Sequence, residues 1–298
     1  MTALKALIRR NMKLFFKDKG MFFTSLITPI ILLVLYITFL GNVYRDAIET
    51  AIPQGVSVAQ STVDGCVGGW LISSLLAVCC VTVAFCANML MVQDKVSGAR
   101  KDLTLTPVRS STLALGYYLS SFFSTLLICL IATAAGFGYL AAVGWYLSLG
   151  DALLVVLDAV LLVLFGTALS SLINCFLSSQ GQISAVGTVV SAGYGFICGA
   201  YMPISQFSEG LQTVLSFLPG TYGTALLRTH TLRGVFESMT DDGVPDPVIQ
   251  GLRGMVDCQV TFFDHTVSNG AMFAVLGGSV TLLIAAFVLV HFLRRKSK

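Results

Sequence analysis

Apolar residues in this chain come in long unbroken runs. They show neither the two-residue alternation of a half-exposed strand nor the narrow stripe of a surface helix. Runs of about twenty residues fall at roughly 21–41, 67–92, 113–140, 152–177, 183–203 and 270–293. A helix of that length crosses the hydrocarbon layer of a bilayer, about 30 Å thick. The pattern predicts an all-α polytopic membrane protein with six transmembrane helices, and an even number puts both termini on one side. A single domain is expected over 1–298. One shorter run breaks the series. Beyond Pro203, residues Phe207, Leu211, Val214, Leu215 and Leu218 share a helical face, with Ser205 or Ser208 available as cap and Pro219-Gly220 as stop. Such a segment is too short to cross. It is expected to dip into the outer leaflet and return, so that re-entrant outer helices lie between spans five and six. Re-entrant backbone persists only where protein or water satisfies it, so the segment marks the rim of a cavity or exit path.

The first twenty residues follow a different rule. Lys5, Arg9, Lys13 and Lys17 recur every four positions with Arg10 beside them, while Leu4, Leu7, Ile8, Met12, Leu14 and Phe15 take the other side. This predicts an amphipathic interfacial helix over 1–20, lying on the membrane with its basic side toward lipid phosphates. After span two, Asp94–Leu105 is expected to form a short helix along the membrane, ended by Pro107. The charged stretch 94–110, held between two spans, would make a docking surface. The stretch 42–66 is expected to be a short outer loop, SSQGQ at 178–182 a tight turn, and 204–269 an external region holding the largest hydrophilic piece.

Composition supports the membrane reading: 55% of residues are hydrophobic and 11% charged, where soluble domains carry about 25% charged residues. The few charges are sorted. Fourteen of the 18 basic residues lie in the N-terminal arm, the loop after span two and the tail at Arg294, Arg295, Lys296 and Lys298. The opposite side holds Arg45, Arg228, Arg233 and Arg253 among acids such as Asp46, Glu49, Asp64, Asp241, Asp257 and Asp264. Basic loops stay inside, so both termini are expected in the cytoplasm and the chain in the plasma membrane. The net charge of +3 reflects this asymmetry and implies the lipid bilayer, not nucleic acid, as partner. Residues 1–20 lack a convincing signal-peptide cleavage pattern.

Catalytic patterns are missing: no phosphate-binding loop, no H-E-x-x-H, no G-x-S-x-G, and His230, His265 and His291 lack ligand spacing. No cofactor or metal is expected in this chain. Asp158 is the one acid well inside a predicted span. It lines a substrate path or bonds polar groups such as Asn88, or else it is a protonated acid satisfied by a neighbouring hydroxyl. Cys66 and Cys258 both fall on the outer side, where a disulfide could form. Gly193, Gly195 and Gly199 thin span five for close helix packing, between subunits or within one.

The stretch GAYMPISQFSEGLQTVLSFLPGTYGTALLR, with Gly199, Pro203, Leu211, Pro219, Tyr222 and Arg228, resembles the region after span five in the permeases of type 2 ATP-binding-cassette exporters, the ABC-2 family. DKVSGARKDLTLTPVR is similar to that family's first cytoplasmic coupling segment, with Lys95, Gly98, Leu103, Thr106 and Pro107 in place. The chain departs from the pattern at Gly98-Ala99-Arg100-Lys101, where the family often has Gly-Thr-Leu-Glu, and at Tyr117, where it often has lysine. The resemblance implies a permease subunit, not an enzyme, paired with a second permease subunit and with separate ATPase subunits that bind ATP and magnesium. It implies that Lys95, Gly98, Leu103, Leu105 and Pro107 couple to the ATPase, and that Asp158, Asn88, Phe207, Leu211 and Tyr222 border the substrate path. Lipophilic or amphipathic cargo, as in multidrug efflux, suits the apolar spans. Polysaccharide or glycolipid export is the alternative within the family, and an ATP-independent channel or an intramembrane enzyme the alternatives outside it.

Overall fold

The computed structural model describes residues 2–296 apart from 54, 55, 57 and 264. Lys298 and Asp264, counted above by charge, lie outside the described residues, as do the side chains of Arg294, Arg295 and Lys296. The chain is almost wholly helical: α1 (Thr2–Lys17), α2 (Lys19–Leu35), α3 (Gly41–Ala51), α4 (Gln60–Asn88), α5 (Leu90–Val96), α6 (Ala99–Leu105), α7 (Ser110–Val143), α8 (Leu149–Phe176), α9 (Gln180–Ile197), α10 (Glu209–Ser216), α11 (Pro219–Asp241), α12 (Asp246–Met255) and α13 (Asn269–Lys296). A two-stranded ribbon, β1 (Thr261–Phe262) with β2 (His265–Thr266), precedes α13.

Among the described residues, five helices are long and apolar enough to cross a membrane: Lys19–Ala51, Gln60–Val96, Ser110–Val143, Leu149–Phe176 and Asn269–Val290. The expected fifth span corresponds to α9, which has 18 residues, opens on Gln180-Gly181-Gln182 and carries four glycines, so it falls short of the others in apolarity. Helix α4 is the axis. Its apolar window is 89% buried inside the protein, against 17% to 50% for the other four. Small residues make this possible: Gly65, Gly68, Gly69, Ser73, Ala77 and Ala84 let α7, α8 and α11 approach closely. The hydroxyls of Ser73 and Thr82 turn back to the carbonyls of Gly69 and Val78, at 2.8 and 2.9 Å, so neither hydroxyl faces the apolar interior without a partner.

Three expectations are corrected. The stretch 42–66 is mostly helix: α2 runs through a π turn at Tyr36–Leu40 into α3 without a break. Its polar sequence hides a buried edge, Tyr44 and Ile48 four apart, and Tyr44 stacks on Trp70 with ring centroids 3.7 Å apart. Asp94–Leu105 is two helices, not one, because Gly98 adopts φ +86° between them. No atom lies within 4 Å of where a Cβ would sit there, so the glycine is required for its backbone angle and not for close approach. Finally, 204–269 is not uniformly peripheral. Helix α11 is built into the bundle against α4, α8 and α13, with Arg228 and His230 buried. Arg228, His230 and Asp257, polar residues of this stretch, are paired inside the fold.

Candidate functional site

A groove of about 550 Å³ opens between α2, the α4–α5 junction and α9. Met21, Ile27 and Ile31 give it apolar walls from α2, Cys86 from α4 and Met89 from the α4–α5 junction. Thr24, Thr28, Gln93, Gln180, Ser184, Thr188 and Ser191 supply hydroxyls and amides. On α9 the polar members recur at 180, 184, 188 and 191, one helical face by the 3.6-residue period. Part of this polarity is spent locally, since Thr188 donates to the Ser184 carbonyl at 2.9 Å and Thr28 to the Ser191 carbonyl at 3.3 Å. Among the described residues, the groove's one titratable lining group is the Cys86 thiol, and no base stands beside it in the lining. Its mixed lining can hold an amphipathic molecule.

Its base is wired to the exposed segment beyond it through three consecutive residues. Gln93 lines the groove. Asp94, buried, accepts two hydrogen bonds from Arg10 of α1, at 2.7 and 3.2 Å, and one from the Tyr117 hydroxyl of α7 at 2.6 Å. Lys95 Nζ donates to the carbonyls of Asn174, Cys175 and Leu177 at 2.9, 3.1 and 3.1 Å. Those carbonyls lie at the C-terminal end of α8, where helical partners run out and positive charge is favoured. The tyrosine at 117 thus completes a carboxylate site, and Lys95 is an internal staple. Beyond Gly98, Leu103 is half-buried against the cluster that holds Leu7, Met91 and Leu113. Leu105 stands 86% exposed, next to exposed Pro107.

At the opposite end, three basic residues of one α11 stretch, RTHTLR, each meet an acid. Arg228 Nη1 donates to Asp257 at 3.0 Å, and Nη2 to Ser74 Oγ and the Gly199 carbonyl at 3.1 and 2.5 Å. Asp257 also receives the amides of Ile204 and Ser205 at 2.6 and 3.4 Å. Burial pushes its carboxyl above the usual range despite the opposing pull of Arg228 and those amides. His230 Nδ1 lies 2.6 Å from Asp158, and Arg233 pairs with Asp151 at 2.9 Å.

The residues singled out along a substrate path therefore scatter. Asp158 is wholly buried and shares its hydrogen bond with His230, not with Asn88. Asn88 donates to Ser170 and Ser171 at 3.1 and 2.6 Å. Those serines lie about 18 Å further along α8 than Asp158 by the helical rise, which is why the two cannot meet. Tyr222 is buried and donates to the Ser216 carbonyl at 2.6 Å. Phe207 is half-buried and Leu211 is exposed on α10. None of the five lines the groove. Cys66 and Cys258 are free thiols in one buried cluster. Burial pushes Cys258 up to about 12, which leaves little of the thiolate that exchange requires.

The Asp158–His230 pair carries a prediction. Asp158→Leu should lower stability by about 1–3 kcal/mol, the cost of a buried polar partner left alone. Asp158→Leu with His230→Leu should recover part of the loss, because both ends of the bond are then gone. Thermal unfolding of the purified variants measures both. An additive double variant would show that the pair is not coupled.

A family model for the ABC-2 type transporter matches residues 2–231, from α1 into α11. No curated protein matches the chain.

Proposed function

We propose, from the premise that the chain belongs to the ABC-2 type transporter family and is the membrane component of such a transporter, that it exports an amphipathic or lipophilic substrate taken up in the groove between α2, α4 and α9. The observation that carries this reading is the lining of that groove: apolar on α2 and α4, hydroxyl- and amide-bearing on α9, and free of charge. Such a surface suits a molecule already partitioned into the bilayer, whose polar group needs hydrogen bonds and whose apolar part needs none.

In this reading α9 is the fifth of six crossings and α10–α11 the re-entrant pair before the sixth, α13. Gly220 sits against Tyr194 of α9 and Gly223 against Leu162, halfway along α8, so α11 starts at mid-depth and rises to the acidic end. The basic end, with α1, α5–α6 and the α8–α9 turn, is cytoplasmic by the positive-inside rule, in the plasma membrane. Separate ATPase subunits, which bind ATP and magnesium, dock on α6 through Leu105 and Pro107. A second permease subunit packs on the outward faces of α2 and α9, where Ile37 and Val189 are each 70% exposed.

Purified alone, the chain should hydrolyse no ATP. Reconstituted with its ATPase, it should show hydrolysis stimulated by an amphipathic substrate. Thr188→Trp, which fills the groove, should remove that stimulation and leave basal hydrolysis and complex formation intact. Stimulation that survives Thr188→Trp would place the substrate elsewhere, and hydrolysis by the isolated chain would overturn the division of labour.

A further inference from the structure

Helix α1 directs its positive charge two ways. Leu7, Asn11 and Phe15 are buried where the helix packs on the bundle, and Gly116 of α7 lets Leu7 approach to 3.1 Å from where a Cβ would stand. Arg10 turns inward to Asp94. Lys5, Arg9, Lys13 and Lys17 remain exposed on the far side. None of them has an acidic partner among the described residues, and α1 contains no acid.

The occupant of this face follows from what stands between the cations. Ile8, Met12 and Phe16 are interleaved with them and line the same shallow cleft. Apolar rungs beside unpaired lysines suit the headgroup layer of a membrane, where the rungs reach acyl chains and the cations meet phosphates. Asp18 caps the next helix by accepting the Met21 amide at 3.0 Å, so α1 passes directly into a membrane-crossing helix and is held at that level. We propose that anionic lipid phosphates of this leaflet are a ligand of the Lys5–Arg9–Lys13–Lys17 face, and that their binding is relayed through the Arg10–Asp94 pair to α5 and α6. Lipid charge then sets how firmly the cytoplasmic segment is held. The relay's bearing on transport rests on the function proposed above; the lipid site does not.

The test is amide hydrogen exchange of the full chain in nanodiscs of phosphatidylcholine alone or with about one third phosphatidylglycerol. Residues 2–17 should exchange about tenfold more slowly in the anionic discs, since a ligand of the docked state suppresses local opening. Salt near 1 M, which shortens the screening length to about 3 Å, should erase the difference. So should the combined Lys5→Gln, Arg9→Gln, Lys13→Gln and Lys17→Gln variant, whose changes are all on the exposed face. Residues 90–105 should follow the same lipid dependence in the wild type. In Arg10→Gln they should lose it while 2–17 keep it. Equal exchange in both discs, or a difference that persists in the four-site variant, overturns the lipid site. Protection of 2–17 that appears only on adding the ATPase, whatever the lipid, assigns the face to that subunit. A lipid response of 90–105 that survives Arg10→Gln overturns the relay.

Discussion

Asp257→Asn should cost about 3 kcal/mol or more, the loss seen when one partner of a buried ion pair is removed. Arg228 is 1% exposed, and asparagine leaves its charge without a counter-charge. The substitution isolates that effect. Asparagine tolerates the left-handed backbone at this position, φ +51°, and its side-chain oxygen still accepts from the Ile204 amide. The pair itself is no large source of stability, because burial raises the Asp257 carboxyl more than Arg228 and the amides lower it. Its work is positional. Through Arg228 it ties α11 to Ser74 of α4 and to the turn at Gly199, and through Asp257 to the start of the segment leading into α10. Arg228→Met combined with Asp257→Asn should therefore be more stable than Asp257→Asn alone, although one more native contact is gone. Thermal unfolding in detergent ranks the three proteins. A double variant weaker than the single one would show that the charge is not what the single substitution exposes.

What the sequence made legible follows from how each element earns its place. Five spans announced themselves because lipid or the bundle interior surrounds them on every side, and apolarity is then continuous. Helix α3 was hidden because only Tyr44 and Ile48 face the core. Helix α9 falls short of those five for the opposite reason. Its apolar residues are real, but glycine and glutamine dilute them where the groove runs. That dilution, polar residues at 180, 184, 188 and 191, was visible in the sequence and is the signal that would have found the site. Asp158 stood out as a buried acid, yet its partner His230 is 72 positions away, and nothing local points to it. The cluster RTHTLR held the hint, since three basic residues within six positions of a helix packed into the bundle must each find an acid or water. Lys95 shows the limit of motif reasoning. It lies in the coupling segment, but it spends its hydrogen bonds on the end of α8.

The last expectation concerns transmission and separates Leu105 from Leu103. Leu105→Asp should leave the permease folded and inserted while weakening ATPase binding roughly thirtyfold or more, about 2 kcal/mol for a hot-spot side chain. The fold loses nothing, because Leu105 is 86% exposed and touches no internal cluster. An apolar side chain held this far out, on a short helix anchored behind by Asp94 and Lys95, is poised for a partner. Leu103→Asp should act differently. Leu103 packs against the buried cluster that holds Leu7, Met91 and Leu113, so an aspartate there loosens α6 from the bundle and lowers stability before any partner binds. Co-purification of the ATPase and thermal unfolding, measured on both variants, form a two-by-two comparison. Binding lost with stability kept in Leu105→Asp, and stability lost in Leu103→Asp, is the expected pattern. If Leu105→Asp retains the ATPase at wild-type yield, α6 is not the docking helix, and the contact passes to the exposed face of α1.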